Sequence, residues 1–183
     1  MNDELHRRRL LACAGLAALG AGAARAEDAP KWQSPDRVAP DAPLGQTVEG
    51  KALSLADFAG MPVIVFFWAA WCPHCRNELP VLERLQGATG KERLRVIAVN
   101  VEERAVFRKV HRALSASSQM VLTYDPGELS AKAFSKPPSL PFTMVLRPDA
   151  TVAATQRGWG GNSVEFILGH VNALLADARK NDS

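Results

Sequence analysis

The chain has 183 residues, 47% of them hydrophobic, including four Trp and seven Phe. That supplies one domain with a core and excludes a disordered chain. The net charge of +3 is small, and residues 1–26 hold four Arg against Asp3 and Glu4, so the remainder is nearly neutral and nucleic-acid binding loses its support.

Residues 1–26 read as an export signal. Arg7, Arg8 and Arg9 precede a largely apolar stretch from Leu10 to Ala24, and Ala24 and Ala26 form an A-x-A cleavage site. The stretch is short and rich in Ala and Gly for a membrane span, which makes a retained anchor the weaker alternative. Arg7 to Leu11 resembles a twin-arginine signal, a pattern that any basic leader can imitate. Leu10 to Cys13 is similar to a lipoprotein box but has no apolar region before it. Cleavage near Ala26 removes Cys13 and leaves Cys72 and Cys75 in an oxidising, periplasmic or extracytoplasmic compartment.

Residues 27–43 carry four prolines and no apolar period, and read as a flexible or extended leader, or a tether. A domain over residues 44–180 follows. Ser54 is placed to cap a brief helix over Leu55 to Phe58. Val63 to Trp68, "VIVFFW", reads as a strand buried on both faces. Pro73 to about Gly87 reads as an amphipathic helix with Leu79, Leu82 and Leu85 inward. Leu94 to Val101 is a second buried strand, and Glu102 to Leu114 a helix with a stripe of Val106, Phe107, Val110 and Leu114. A short strand, the turn Asp125-Pro126-Gly127 and a short helix to Phe134 come next. Phe142 to Leu146 and Thr151 to Arg157 form a hairpin around "RPDA". Asn162, with Glu165 three residues on, caps a last helix to about Arg179. The order predicts a layered α/β domain with antiparallel pairing at one edge.

"WCPHC", Trp71 to Cys75, carries the chemistry. Cys72 follows a strand and Cys75 lies one turn into a helix, so the sulfurs share a face and can close a disulfide. Free backbone N–H groups and the positive dipole end at Cys72 favour a thiolate of lowered pKa. Pro73 suits the first helical position, and His74 adds positive charge or a hydrogen bond beside the thiolate. Each such effect makes the disulfide more oxidising. A zinc site needs four ligands, and no second C-x-x-C exists, while His74, His111 and His170 are scattered. A structural disulfide closing so small a loop constrains the unfolded chain very little. Reversible electron carriage explains the pair best.

The segment "VIVFFWAAWCPHCRNELP" resembles the active-site region of the thioredoxin superfamily, in its TlpA/ResA-like branch of exported thiol–disulfide oxidoreductases. "GKALSL", "YDPGEL" and "LPFTMVLRPDA" extend the resemblance over about Leu44 to Ala178. It implies a thioredoxin-like fold: a central mixed sheet flanked by helices, with a short N-terminal β extension. It also implies that Cys72 is the exposed attacking cysteine and Cys75 the buried resolving one.

Glu78 matches an acid that exchanges protons with the site; on the residues alone, an ordinary acid near a helix N-terminus stands equally. Thioredoxin itself carries a buried acid at the position of Phe66, a departure that leaves Glu78 as the proton handler. Pro141 matches the family's cis-proline, against the general preference for trans, and Leu140 before it matches a backbone that pairs with substrate. Trp71 is expected to form an apolar rim, Trp68 to flank the disulfide or sit in the core, and Trp159 to be a packed loop residue.

The resemblance implies no metal and no cofactor, cysteine-containing exported proteins as substrates, a membrane or periplasmic redox partner, and a monomer. It favours a disulfide reductase, of the type that keeps apocytochrome cysteines reduced. The Pro73-His74 pair, shared with the strongly oxidising DsbA, keeps an oxidase or isomerase open. DsbA's inserted helical domain has no room here, because predicted helices and strands already fill the chain between Cys75 and Pro141. A peroxidase of the peroxiredoxin type is disfavoured by Ala69, where those proteins carry threonine. A Cu(I) chaperone using both thiolates is a third class.

Overall fold

The computed structural model describes residues 32–116 and 118–181, with side chains described as far as residue 178. The expected signal, its cleavage after Ala26 and Cys13 lie outside the described residues. Within them, seven strands form one mixed sheet: β1 (Pro43–Gln46), β2 (Ala52–Ser54), β3 (Val63–Trp68), β4 (Arg95–Asn100), β5 (Val121–Tyr124), β6 (Phe142–Leu146) and β7 (Val152–Arg157). Helices α1 (Pro73–Thr89), α2 (Arg104–Leu114), α3 (Leu129–Ala133) and α4 (Ser163–Asn181) connect or follow them. The spatial order is β2-β1-β5-β4-β3-β6-β7. The central β3, β4 and β5 run parallel, and antiparallel pairs close both flanks. The α/β class, the mixed sheet and the N-terminal β extension are as the sequence implied.

The sheet centre follows from β3. Six β-branched or aromatic residues alternate between faces, and all six are buried. Ile64, Phe66 and Trp68 pack with Leu79 and Leu82 of α1, Phe107 of α2 and Ile167 of α4. Val65 and Phe67 face Leu44, Phe58, Phe134 and Phe142 on the other side. Phe67 stacks on Phe142 at 6.0 Å and meets Phe134 edge-on at 5.8 Å. Each large side chain so withdrawn from water contributes about 1.5–3 kcal/mol.

Helix α1 turns Cys75, Glu78, Leu79, Leu82, Leu85 and Gln86 inward at three- and four-residue spacing. The buried Gln86 amide braces it against the sheet, accepting from the Val96 N–H at 2.8 Å and donating to the Leu94 carbonyl at 3.0 Å. Ser54 and Asp57 form a capping box over the short 3-10 helix Leu55–Phe58. Asn162 stands just before α4 with its carbonyl accepting from Phe166, while the Ser163 hydroxyl accepts from the Gly160 N–H.

One expectation needs correction and one open alternative is decided. Of the flexible and the extended leader, the described part takes the extended form. Val38 donates to Ala150 and Val152 donates to Asp36, adding backbone pairing beside β7. Val38 and Ala42 are buried, and Trp32 packs edge-on against Phe142. Prolines conceal this from a periodicity search, because the segment is extended without alternating. Helix α2 starts at Arg104 rather than Glu102, and only Phe107 of its stripe is fully buried. Glu102 is withheld from the helix because its carboxylate turns back to the loop after β3.

Candidate active site

The strand β3 ends at Trp68, and a tight turn delivers the chain to α1. The Cys72 N–H closes that turn on the Ala69 carbonyl at 3.2 Å. Cys72 is the N-cap of α1, Pro73 takes the first helical position, and the Cys72 sulfur accepts from the Cys75 N–H at 3.2 Å. The helix start thus aims a backbone donor at this sulfur, as a developing thiolate requires. Cys72 and Cys75 are joined as a disulfide with their Cα atoms 5.3 Å apart.

Exposure differs from the open thiol that the resemblance implied. Cys72 keeps only 3% of its surface and Cys75 keeps none. Both belong to the apolar cluster that includes Trp68, Ala69 and Leu79. The N-cap geometry folds the Cys72 side chain back over the helix instead of outward. Cys72 remains the one of the two that touches solvent at all. Around it Trp71 is 67% exposed, and Pro73 and His74 are exposed. Trp68 is a core residue, and Trp159 packs against the same cluster half-buried.

Glu78 lies one turn beyond Cys75 and is 0% exposed. Burial pushes its carboxyl up to about 7, opposed by the Thr143 hydroxyl, which donates to Oε1. Oε2 has no hydrogen-bond partner among the described residues. Phe66, where thioredoxin has its buried acid, is apolar and stands opposite Thr143 in the β3–β6 register.

The Leu140–Pro141 bond is cis. Because β6 runs antiparallel to β3 with Phe142 opposite Phe67, this bond emerges at the sheet end where the cysteine turn departs. Pro141 is buried and its carbonyl accepts from Gly158 at 2.8 Å, whereas Leu140 is half-buried. Leu140, Trp71, Val101, Lys136 and Pro138 line a groove of about 490 Å³, joined by Asp125 and Glu128. Burial lowers the Lys136 ammonium, with Glu128 and Asp125 pulling the other way.

Three polar residues escaped the sequence reading. Thr143 breaks the apolar run of β6 and is 1% exposed, a signal that was available. Asn100 and Glu102 form a clamp: the Glu102 carboxylate accepts from the Ala70 N–H and from the Asn100 amide at 3.1 Å, and Asn100 accepts from the Glu102 N–H at 3.0 Å. The clamp ties the cysteine turn to the end of β4, a long-range contact that no local pattern announces. Among the described residues no group of three His, Cys, Asp or Glu is placed to hold a metal, and no helix is long and apolar enough to cross a membrane.

The model of the AhpC/TSA family matches residues 29–155. The thioredoxin-like protein YneN of Bacillus subtilis is 40% identical over 77 residues, 42% of this chain and 44% of that protein. The thiol-disulfide oxidoreductase ResA of Bacillus subtilis is 28% identical over 114 residues, 62% of each chain. The chain therefore spans under two thirds of the length of these curated relatives. Among solved structures, a putative thiol:disulfide interchange protein DsbE from Chlorobium tepidum matches with a TM-score of 0.66 at 23% identity, over 78% of this chain and 98% of that one. A putative protein disulfide isomerase from Bacteroides thetaiotaomicron has a TM-score of 0.66 at 19% identity, over 80% and 93%. These likenesses establish the thioredoxin-like fold.

Proposed function

This chain belongs to the AhpC/TSA family, and from that premise we propose that it is an exported thiol–disulfide oxidoreductase acting through Cys72 and Cys75. The observation that carries the reading is the disulfide at a helix start, with the Cys72 sulfur under the Cys75 N–H and a buried carboxyl one turn further on. The relatives' names, thiol-disulfide oxidoreductase above all, support it.

In the reducing direction the Cys72 thiolate attacks a substrate disulfide. A Cys72–substrate disulfide forms, and one substrate sulfur leaves as thiolate. Cys75 then loses its proton to Glu78 and attacks the Cys72 sulfur. The Cys72–Cys75 bond forms, the second substrate thiolate departs, and two electrons have passed to the substrate. Exposed Trp71 and the groove beside Leu140 and Pro141 receive the polypeptide around the substrate cysteine. Substrates are cysteine-containing exported proteins, and a membrane or periplasmic protein restores the dithiol.

Run backwards, the same steps oxidise a substrate. The Pro73-His74 pair between the two cysteines, with His74 exposed, supports that second reading, because a donor or cation beside the attacking sulfur would stabilise its thiolate and make the disulfide more oxidising. A glutathione redox titration of the protein decides the direction. A potential near the approximately −270 mV of thioredoxin supports the reductase, one near the approximately −120 mV of DsbA supports the oxidase, and failure to equilibrate with glutathione at all removes both.

A further inference from the structure

Glu78 and Thr143 are buried polar side chains on elements far apart in sequence, α1 and β6, and they meet inside an otherwise apolar layer. Around them that layer contributes Phe66 and Trp68 from β3, Leu79 and Leu82 from α1, and Ile167 and Val171 from α4. Its titratable members are the two cysteines and Tyr124. A carboxylate left alone in such surroundings stays protonated, since burial penalises its charge. A permanently protonated Glu78 cannot take a proton from Cys75.

The geometry points to Thr143 as a positioning residue that keeps Glu78 exchangeable: its hydroxyl holds Oε1 and leaves Oε2 as the atom on which the proton comes and goes. This rests on the reading of Glu78 as the site's proton handler. Three observations support it. The hydroxyl is the donor and Oε1 the acceptor, a bond that favours the ionised form. Oε2 is buried and lacks a partner among the described residues. The balance of burial against this bond leaves the carboxyl near 7, where protonated and ionised forms coexist at neutral pH. The step is one proton moving from the Cys75 thiol to Oε2 as Cys75 attacks, and its later return to a departing substrate thiolate or to solvent.

The test uses the full chain with Thr143→Val, which keeps shape and removes the hydroxyl, and Thr143→Ser, which returns it. Carbon-13 NMR reads the Glu78 carboxyl titration, and stopped flow reads the pH dependence of the mixed-disulfide resolution step. The expected result is that Thr143→Val raises the Glu78 midpoint by about one to two pH units, the size of a buried hydrogen bond to a charged group. The acid limb of the rate profile moves with it, and Thr143→Ser restores both. An unmoved midpoint in Thr143→Val overturns the proposal. So does a rate limb that stays in place although Glu78→Gln abolishes it. Should Glu78→Gln leave the limb untouched, the proton-handler reading itself fails, and the proposal falls with it. If Thr143→Val does not fold, Thr143→Ala gives the same readout.

Discussion

At the residue scale, the site places opposed demands on two titratable groups. The Cys72 sulfur accepts a backbone N–H that favours an anion once the disulfide is reduced, whereas Glu78 sits where burial disfavours one. The Glu78 carboxyl is raised from 4.5 to about 7, so between these values the folded state binds more protons than the unfolded chain. Stability from this group is complete below 4.5 and is lost as pH rises through about 7. Glu78→Gln, neutral at every pH, is expected to be more stable than the natural protein at pH 8 by about 3 kcal/mol and to show little advantage at pH 4. Urea unfolding at the two pH values checks this; an advantage that does not change with pH contradicts the buried titration. The placement of Cys72, Cys75 and Glu78 along one helix was legible because helical spacing and the C-x-x-C motif are local, whereas a role for Glu78 came from the family resemblance and not from its spacing. Thr143 could be noticed as a polar break in an apolar strand, but neither its partner nor that of Glu102 was legible, because each lies on another segment.

At the element scale, the short helix α3 is held by its preceding loop. The buried Asp125 carboxylate accepts from the Ser130 N–H at 2.7 Å and from the Ala131 N–H at 2.8 Å. This explains physically why an aspartate stands in "YDPGEL": it closes the turn and satisfies donors that a five-residue helix leaves free. Since α3 and the loop after it wall the groove beside Trp71, loss of this bond loosens the groove as well as the fold. Asp125→Ala is expected to cost about 1–3 kcal/mol by thermal or urea unfolding. A cost under about 0.5 kcal/mol contradicts the capping role. Element types were read well where periodicity was strong, as in β3 and α1. The start of α2 was misjudged because the tertiary clamp at Glu102 overrides a helical pattern.

At the scale of the whole molecule, the sheet is the frame that brings the cysteine turn and the cis bond before Pro141 to one end, through the antiparallel pairing of β3 with β6. The leader contributes to that frame from the opposite side. Val38 is 2% exposed and packs with Leu44, Leu55 and Ala150. Val38→Ala is expected to lower stability by about 2 kcal/mol, and a change within experimental error would restore the picture of a loose leader. Prolines hid this docking, since their extended chain carries no period to read. The N-terminal β extension was legible as a short strand, but its pairing of β1 with β5 was not. There Gly45, at φ 84, passes so close to the Tyr124 carbonyl that any Cβ would collide. The most direct test of the molecule as an electron carrier is trapping. The reduced Cys75→Ser variant is mixed with a peptide disulfide, and the adduct is mapped by mass spectrometry. A stable mixed disulfide at Cys72, with none formed at Cys75 in the reduced Cys72→Ser variant, is the expected result. Equal trapping at either sulfur, or none at Cys72, contradicts the account.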